Sequence, residues 1–404
     1  MLRTPQGVHF LEGRDSRMSQ TPLRLALAAA LLAGCAATRS DTRATGRAET
    51  LVFDPMVVAA GGKEEIDLAP LNDEELFALG TSAFAAGDNE KAARCFSRLA
   101  DVFSESKHRA EALYNAGLAY ERLSRFEEAL LRFQPLADPA RGHGDALDAS
   151  FRVAECLYHL SHFEKAVAIL TVIAARGDVK PQEKLEAKVH RGICLIEGGD
   201  LEGGERALRD AVGYWTENKE TERLDGYFPA QAQYYLGEIY RIHFERAELD
   251  PDKGEAQLGK DLEYKCELLL SSQGHYLRAV RVGDGEWATA SGYRIGALYE
   301  QLYDAMLSAK VPSGFDPEQA QVYREELRKK IRVLVSKAMT IHERTLEAAE
   351  RIGAQNPYVQ RTRQSLDRLK QLLLDDSDRA SAGVHDERDA EDAPVATPTP
   401  RPAT

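Results

Sequence analysis

The chain has 404 residues, 43% of them hydrophobic, and a formal net charge of −13, enough for a sizeable core held in two or three compact domains or in one elongated repeat array. Apart from an acidic tail the negative charge is spread along the chain, and no Lys/Arg-rich block occurs, which excludes the basic face that nucleic-acid phosphates demand. Only 7% of residues are aromatic and Pro is sparse before the tail, so Ala- and Leu-rich helices are favoured over a sandwich or a barrel.

The first organised stretch runs from Met18 to Cys35 and reads MSQTPLRLALAAALLAGC, with Arg24, an unbroken apolar run from Leu25 to Ala33, then small residues before a cysteine. That is the pattern of a signal peptide over 18–34, and the run is too short to span a ~30 Å hydrocarbon core comfortably. Leu32-Ala33-Gly34-Cys35 resembles the lipobox of bacterial lipoproteins. The resemblance implies cleavage before Cys35, a diacylglycerol on its sulfur and an acylated amine; at ~0.8 kcal/mol per buried CH₂ such a set of chains anchors stably. The alternative reading is an internal buried cysteine ending an apolar helix. Residues 1–17 are polar and unpatterned, so we expect the chain to start at Met18. Loss of residues 1–34 removes four arginines and two acidic residues and moves the charge to about −15. Ala36, not Asp, follows the cysteine, which by resemblance to the Gram-negative lipoprotein sorting rule implies the outer membrane, the protein facing the periplasm. Residues 35–70, with the breaker pair Gly61-Gly62, read as a flexible tether.

From residue 71 the chain compares with itself. Gly80 aligns with Gly117, Gly87 with Ser124, Ala92 with Ala129 and Phe96 with Phe133, each pair 37 apart; the spacing recurs from Gly117 to Ala154 and is 38 from Ala154 to Gly192. Each unit places a small residue in a first helix, a turn residue (Gly87, Ser124, Ser161, Gly199) and, in three of four units, a hydrophobic residue soon after it (Phe126, Phe163, Leu201). A fifth first helix follows around Gly237. These segments resemble the tetratricopeptide repeat, in which small residues let paired helices approach within ~8 to 10 Å. The departures are Asn89 in place of an aromatic, a unit longer than the usual length, and Gly204 in place of Ala. The resemblance covers residues 71–245 and implies an all-α tetratricopeptide-repeat helical solenoid.

Residues 246–374 read as a helical block that caps the stack: a helix over 256–280, a turn at Gly283 to Trp287, an amphipathic helix with Tyr293, Leu298 and Leu302 among its apolar positions, then helices over 317–349 and 356–374. Two segments, 293–306 and 337–359, resemble the region that follows the repeats in envelope proteins of gliding bacteria. Residues 375–404 carry eight acidic against three basic residues and end in PVATPTPRPAT, the composition of a disordered tail.

Chemistry is sought and not found. Besides Cys35 there are Cys95, Cys156, Cys194 and Cys266, with no C-x-x-C pair and no His at ligand spacing. Cys156 and Cys194 share a slot two residues after the small crossing residue and read as core. His159 and His162 read as solvated, and "GDGEW" lacks the alternating carboxylates of a calcium loop. No nucleophile elbow, zinc-protease motif, Walker loop or dinucleotide fingerprint occurs; we expect no enzyme, no catalytic residue, no metal and no cofactor.

In repeats of this kind the first helices line a groove, and by that resemblance its side chains lie three before and one, four or five after the small residue. The offsets yield Phe77, Phe84, Tyr114, Leu118, Glu121, Arg122, Phe151, Glu155, Tyr158, His159, Ile193, Tyr234, Glu238 and Arg241, an aromatic strip with a few charges suited to a helix or extended peptide. The alternative for each ring is packing against a neighbouring helix. The expected function is a membrane-anchored scaffold that binds other envelope proteins. Resemblance offers three hosts, a gliding-motility complex, the β-barrel assembly machinery and peptidoglycan coordination, with the carboxy-terminal block favouring the first. The rival readings are an envelope hydrolase, which needs a carboxylate pair in one cleft, and a lipid carrier, which needs a closed apolar cavity.

Overall fold

A computed structural model describes residues 67–137, 146–311 and 314–391. The signal peptide, Cys35, nearly all of the tether and the Pro-rich end after 391 lie outside the described residues. Within them the chain is all-α, built of paired helices and without strands. The helices are α1 (Asp73–Ala85), α2 (Asn89–Val102), α3 (Arg109–Arg122), α4 (Phe126–Phe133), α5 (Ala146–His159), α6 (Phe163–Ala175), α7 (Pro181–Glu197), α8 (Leu201–Asn218), α9 (Tyr227–Arg246), α10 (Glu255–Val282), α11 (Gly285–Ser308), α12 (Pro317–Ile352) and α13 (Pro357–Glu391). Contacts divide the chain into two compact units, one ending at Cys156 and the other beginning at Leu157, within α5. The 71–245 array therefore contributes to both.

The turn slot read from the sequence has one geometry in all four repeats. Gly87, Ser124, Ser161 and Gly199 are left-handed, with φ of 79°, 57°, 60° and 94°. In each, the following N–H reaches back to the helix: Asp88 to Ala83, Arg125 to Tyr120, His162 to Leu157 and Asp200 to Leu195, at 2.8–2.9 Å. The turn residue's own N–H bonds the carbonyl three residues before it, as from Gly87 to Phe84 at 3.1 Å and from Ser124 to Glu121 at 2.8 Å. This is the Schellman termination, which satisfies carbonyls that the helix end would leave bare. Asp88 and Asp200 then cap α2 and α8, accepting from the Lys91 and Gly203 N–H groups. Serine holds this conformation at the cost of a crowded Cβ. Ser124→Gly and Ser161→Gly are each expected to raise stability by about 0.5–1 kcal/mol, the relieved strain exceeding glycine's extra chain entropy; urea unfolding of each single variant checks this, with Gly87→Ser moving the other way.

The small crossing residues do what their spacing implies, and the structure supplies the partner. A Cβ built on Gly80 would lie 2.8 Å from the Phe96 ring, one on Gly117 2.4 Å from the Phe133 ring, and one on Gly192 2.7 Å from Leu208. In each unit the second helix sends a bulky side chain from sixteen residues later into the space where the first helix has no Cβ. In the first unit Leu76, Phe96, Leu99, Leu113 and Leu136 share one buried cluster. In the second, Leu185, Ile193, Leu208, Phe228 and Leu236 do so.

The carboxy-terminal block continues the device with longer helices. Gly237 of α9 faces the Tyr276 ring of α10 at 2.6 Å, and Gly296 of α11 faces His342 of α12 at 2.3 Å, each measured from the missing Cβ. Helix α10 has 28 residues and α12 has 36, which is why the period of 37 fades there in the sequence. Of the GDGEW segment Gly283 and Asp284 form the turn: Gly283 is left-handed and Asp284 caps α11 by accepting from the Glu286 and Trp287 N–H groups, while Gly285 to Trp287 already belong to the helix, which shortens the turn expected over Gly283 to Trp287. The last helix runs to Glu391, past the Leu374 end expected from the sequence. Residues 375–391 contain Ala, Glu and Arg and no proline before Pro394, so nothing in that stretch breaks helical hydrogen bonding. The disordered-tail reading is thereby corrected for 375–391.

Candidate protein-binding face

In the unit ending at Cys156, the offsets lead to a partly open strip. Phe77 is half-buried, stacked on His108 with ring centroids 4.2 Å apart and edge-on to Phe96 at 5.9 Å. Phe84 is half-buried beneath the guanidinium of Arg122, 3.9 Å from the ring centroid, and Arg122 itself is exposed. Tyr114 is half-buried with its ring edge-on to Phe133 at 5.4 Å, and Leu118 is half-buried one turn on. Phe77 and Tyr114 are backed by Phe96 and Phe133, the second-helix rings that fill the gaps at Gly80 and Gly117, so this part of the strip stands on packed core.

Beside the strip lies a buried charge cluster. Arg152 donates to Glu121 at 3.1 Å and lies 3.5 Å from Glu155. Burial opposes its charge, but the two carboxylates outweigh burial and hold its pKa above the ordinary arginine value. The Cys156 thiol donates to Glu121 at 3.7 Å, and burial first, then the two glutamates, push its pKa up. A thiol so placed is not a nucleophile at neutral pH. Cys156 and Cys194 are buried and free, as the core reading expected, and Cys95 is buried and free as well.

In the unit beginning at Leu157 the same offsets lead mostly inward. Tyr158 and His159 are half-buried, Tyr158 edge-on to Phe163 at 5.7 Å. Ile193 is 1% exposed within the α7–α8–α9 core, and Tyr234 is 3% exposed. Tyr234 is covered by Trp287 at 5.2 Å, Tyr276 at 5.5 Å and Tyr358 at 6.5 Å, side chains from α11, α10 and α13. Glu238 is buried between Arg294, at 3.0 Å, and Arg241, at 2.9 Å, and accepts from the Tyr276 hydroxyl. Phe151 and Glu155, in the other unit, are also buried. Phe151, Glu155, Ile193, Tyr234 and Glu238 are therefore corrected from groove-lining to core residues. The offset rule describes an isolated hairpin, and each later helix laid against it covers positions the rule counts as free.

Three residues on these faces escaped the sequence reading. Arg152 and Arg294 both stand two before a small crossing residue, Ala154 and Gly296, and both reach back to a carboxylate of the preceding first helix. Their common slot was a readable signal. Glu197 occupies the offset of five after Gly192 that also produced Arg122; burial first and then Glu238 raise its pKa. Among the described residues no group of three or more His, Cys, Asp or Glu could hold a metal ion, and no helix is long and apolar enough to cross a membrane.

Stacked helical hairpins that cross at small residues, with a bulky side chain of the second helix filling the gap at Gly80, Gly117 and Gly192, define an interaction scaffold of the helical-repeat class, suited to protein–protein contact through the repeat surface. The chain carries a tetratricopeptide repeat: that family's repeat matches residues 76–106, from α1 through α2 into the next turn. No curated protein matches the chain in sequence. Among solved structures it is similar to the apo form of RapI, at 12% identity over 74% of this chain and 100% of that one, with a TM-score of 0.40. It is also similar to a tetratricopeptide repeat protein from Parabacteroides merdae, at 16% identity over 74% and 98%, with a TM-score of 0.34. A MamA RS-1 double mutant matches at 19% identity over 49% and 95%, with a TM-score of 0.32.

Proposed function

We propose that the chain is a lipid-anchored scaffold of a bacterial cell envelope, held at the outer membrane by acylated Cys35 and binding another envelope protein through the Phe77, Phe84, Tyr114, Leu118 and Arg122 strip. The strip carries the reading: three half-buried rings and an exposed arginine stand on the first helices of two successive repeats, α1 and α3, within one compact unit. Aromatic and arginine side chains on a rigid support are the groups that dominate binding energy at protein interfaces. The anchor rests on the Leu32-Ala33-Gly34-Cys35 sequence, and the resemblance of 293–306 and 337–359 favours a motility-type complex as the host.

Photo-crosslinkers placed at Phe84 and Tyr114 in living cells are expected to trap one dominant envelope protein. Phe84→Ala with Arg122→Glu is expected to reduce its recovery by on the order of tenfold without lowering the melting temperature. Capture no greater than from an exposed control position such as Val172 would remove the binding role. Cys35→Ser is expected to abolish metabolic labelling by an alkynyl fatty acid and to release the protein from membranes; labelling that survives would remove the anchor. A deletion strain with normal motility and defective outer-membrane protein assembly would reassign the host.

A further inference from the structure

A second surface lies in the unit beginning at Leu157. The second helices α10 and α12 stand apart over α11 and leave a groove of about 640 Å³ between them. Its walls expose Leu277 and Val280 of α10, each 37% exposed, and Val333 and Ile352 of α12, at 64% and 56%. Four large aliphatic side chains facing one channel are not the scattered surface hydrophobes of an ordinary monomer. Two cations, Lys337 and Arg344, line the same wall, and none of the lining residues is acidic, in a chain whose formal charge is −13.

Shape and charge together select the occupant. The α12 wall from Val333 to Ile352 has twenty residues, and its nineteen steps span ~28 Å at 1.5 Å per residue. Leu277 and Val280 repeat at helical spacing along the opposite wall, so the channel matches the apolar stripe of one helix laid along it. Lys337 and Arg344 are seven residues apart on α12, ~10 Å, two turns of a helix lying alongside. Lys337 lies over the Tyr299 ring, 4.6 Å from its centroid, which fixes the charge at the groove edge. A second copy of this chain would bring Lys337 and Arg344 against their own counterparts, and like charges across an interface are unfavourable. We infer that the α10–α12 groove seats an amphipathic helix of a partner protein that carries carboxylates along its flank, opposite Lys337 and Arg344.

The test uses the full chain and a library of 18-residue helical peptides with a fixed leucine stripe and flank positions randomised among Glu, Gln and Lys. Peptides with Glu flanks are expected to be enriched, and by fluorescence anisotropy to bind at least tenfold more weakly to Leu277→Asp and Val333→Asp. Both replaced side chains are solvent-exposed, and circular dichroism confirms that the variants fold. Arg344→Glu with Lys337→Glu is expected to reverse the preference to Lys flanks. The inference is overturned by absence of enrichment, by enriched peptides that ignore the Asp variants, or by a preference for Lys flanks on the unaltered chain. It is also overturned by a concentration-dependent dimer that Val333→Asp abolishes, which assigns the groove to a second copy, or by palmitate displacing the peptides, which assigns it to an acyl chain. Crosslinking at Phe84 and Tyr114 involves neither this groove nor its helices, so either site can fail alone.

Discussion

Gly117→Val is expected to destabilise the unit ending at Cys156 by about 3 kcal/mol, at the upper end of what overpacking a core costs. The position has no slack. A Cβ there would meet three atoms of the Phe133 ring at 2.4, 2.6 and 2.7 Å, and Phe133 is fully buried, so the ring cannot turn out to solvent. Valine adds two further methyl groups to a contact already below van der Waals distance. Helix α3, which carries Tyr114, Leu118, Glu121 and Arg122, must then lift from α4, and the binding strip moves with it. Phe133→Ala alone is expected to cost about 3–5 kcal/mol through the cavity it leaves. The double variant Gly117→Val with Phe133→Leu is expected to recover part of the loss, a coupling that a double-mutant cycle in urea reads directly. Gly213 is the contrast: it lies inside α8 with nothing within 4 Å of its missing Cβ, and Gly213→Ala is expected to stabilise by about 0.5–1 kcal/mol through helix propensity. Equal effects at Gly117 and Gly213 would show that the crossing is not close packed.

Glu238→Gln is expected to cost the unit beginning at Leu157 about 3–5 kcal/mol, because it leaves Arg241 and Arg294 buried without a countercharge. Both guanidiniums contact the one carboxylate, at 2.9 and 3.0 Å, and Arg294 also donates to the Tyr234 hydroxyl at 3.1 Å. Replacing Glu238, Arg241 and Arg294 together by aliphatic residues is expected to cost less than the single change, since the uncompensated charge and not the lost pair is what destabilises. Acidity supplies a second readout. Burial raises the Glu238 pKa, but Arg294, Arg241 and the Tyr276 hydroxyl outweigh it, so the folded carboxyl titrates below the ordinary value of 4.5. A depressed carboxyl stabilises the fold fully above its unfolded value and loses that contribution as pH falls through the folded one. The gap in stability between the unaltered chain and Glu238→Gln should therefore be constant above about pH 5 and narrow below pH 4.5. A gap that stays constant into acid would show that Glu238 does not carry the network's charge.

The buried charges also explain why the stack has one register. Arg152 and Arg294 each bridge from one first helix to the preceding one. A one-turn slip between those helices would strand a charge in the core, whereas a purely apolar contact would tolerate it. The small crossing residues set how close paired helices come, and these arginines set how neighbouring pairs align.

The period of 37, the turn slots and the glycine crossings were readable from the residues alone because each is enforced within one hairpin. A left-handed turn admits Gly readily and Ser at a cost, and a helix crossing with a phenyl ring between the backbones admits no Cβ. Neither condition depends on distant neighbours, so Gly87, Ser124, Gly80 and Gly117 announce themselves in sequence. Exposure is different in kind. Tyr114 and Tyr234 stand at the same offset, three before a crossing glycine, yet the first is half-open and the second is closed over by Trp287 and Tyr358, which lie 53 and 124 residues further along. Solvent access is a property of everything packed nearby, and only the tertiary structure decides which rings remain for a partner, just as only it opens the channel between α10 and α12.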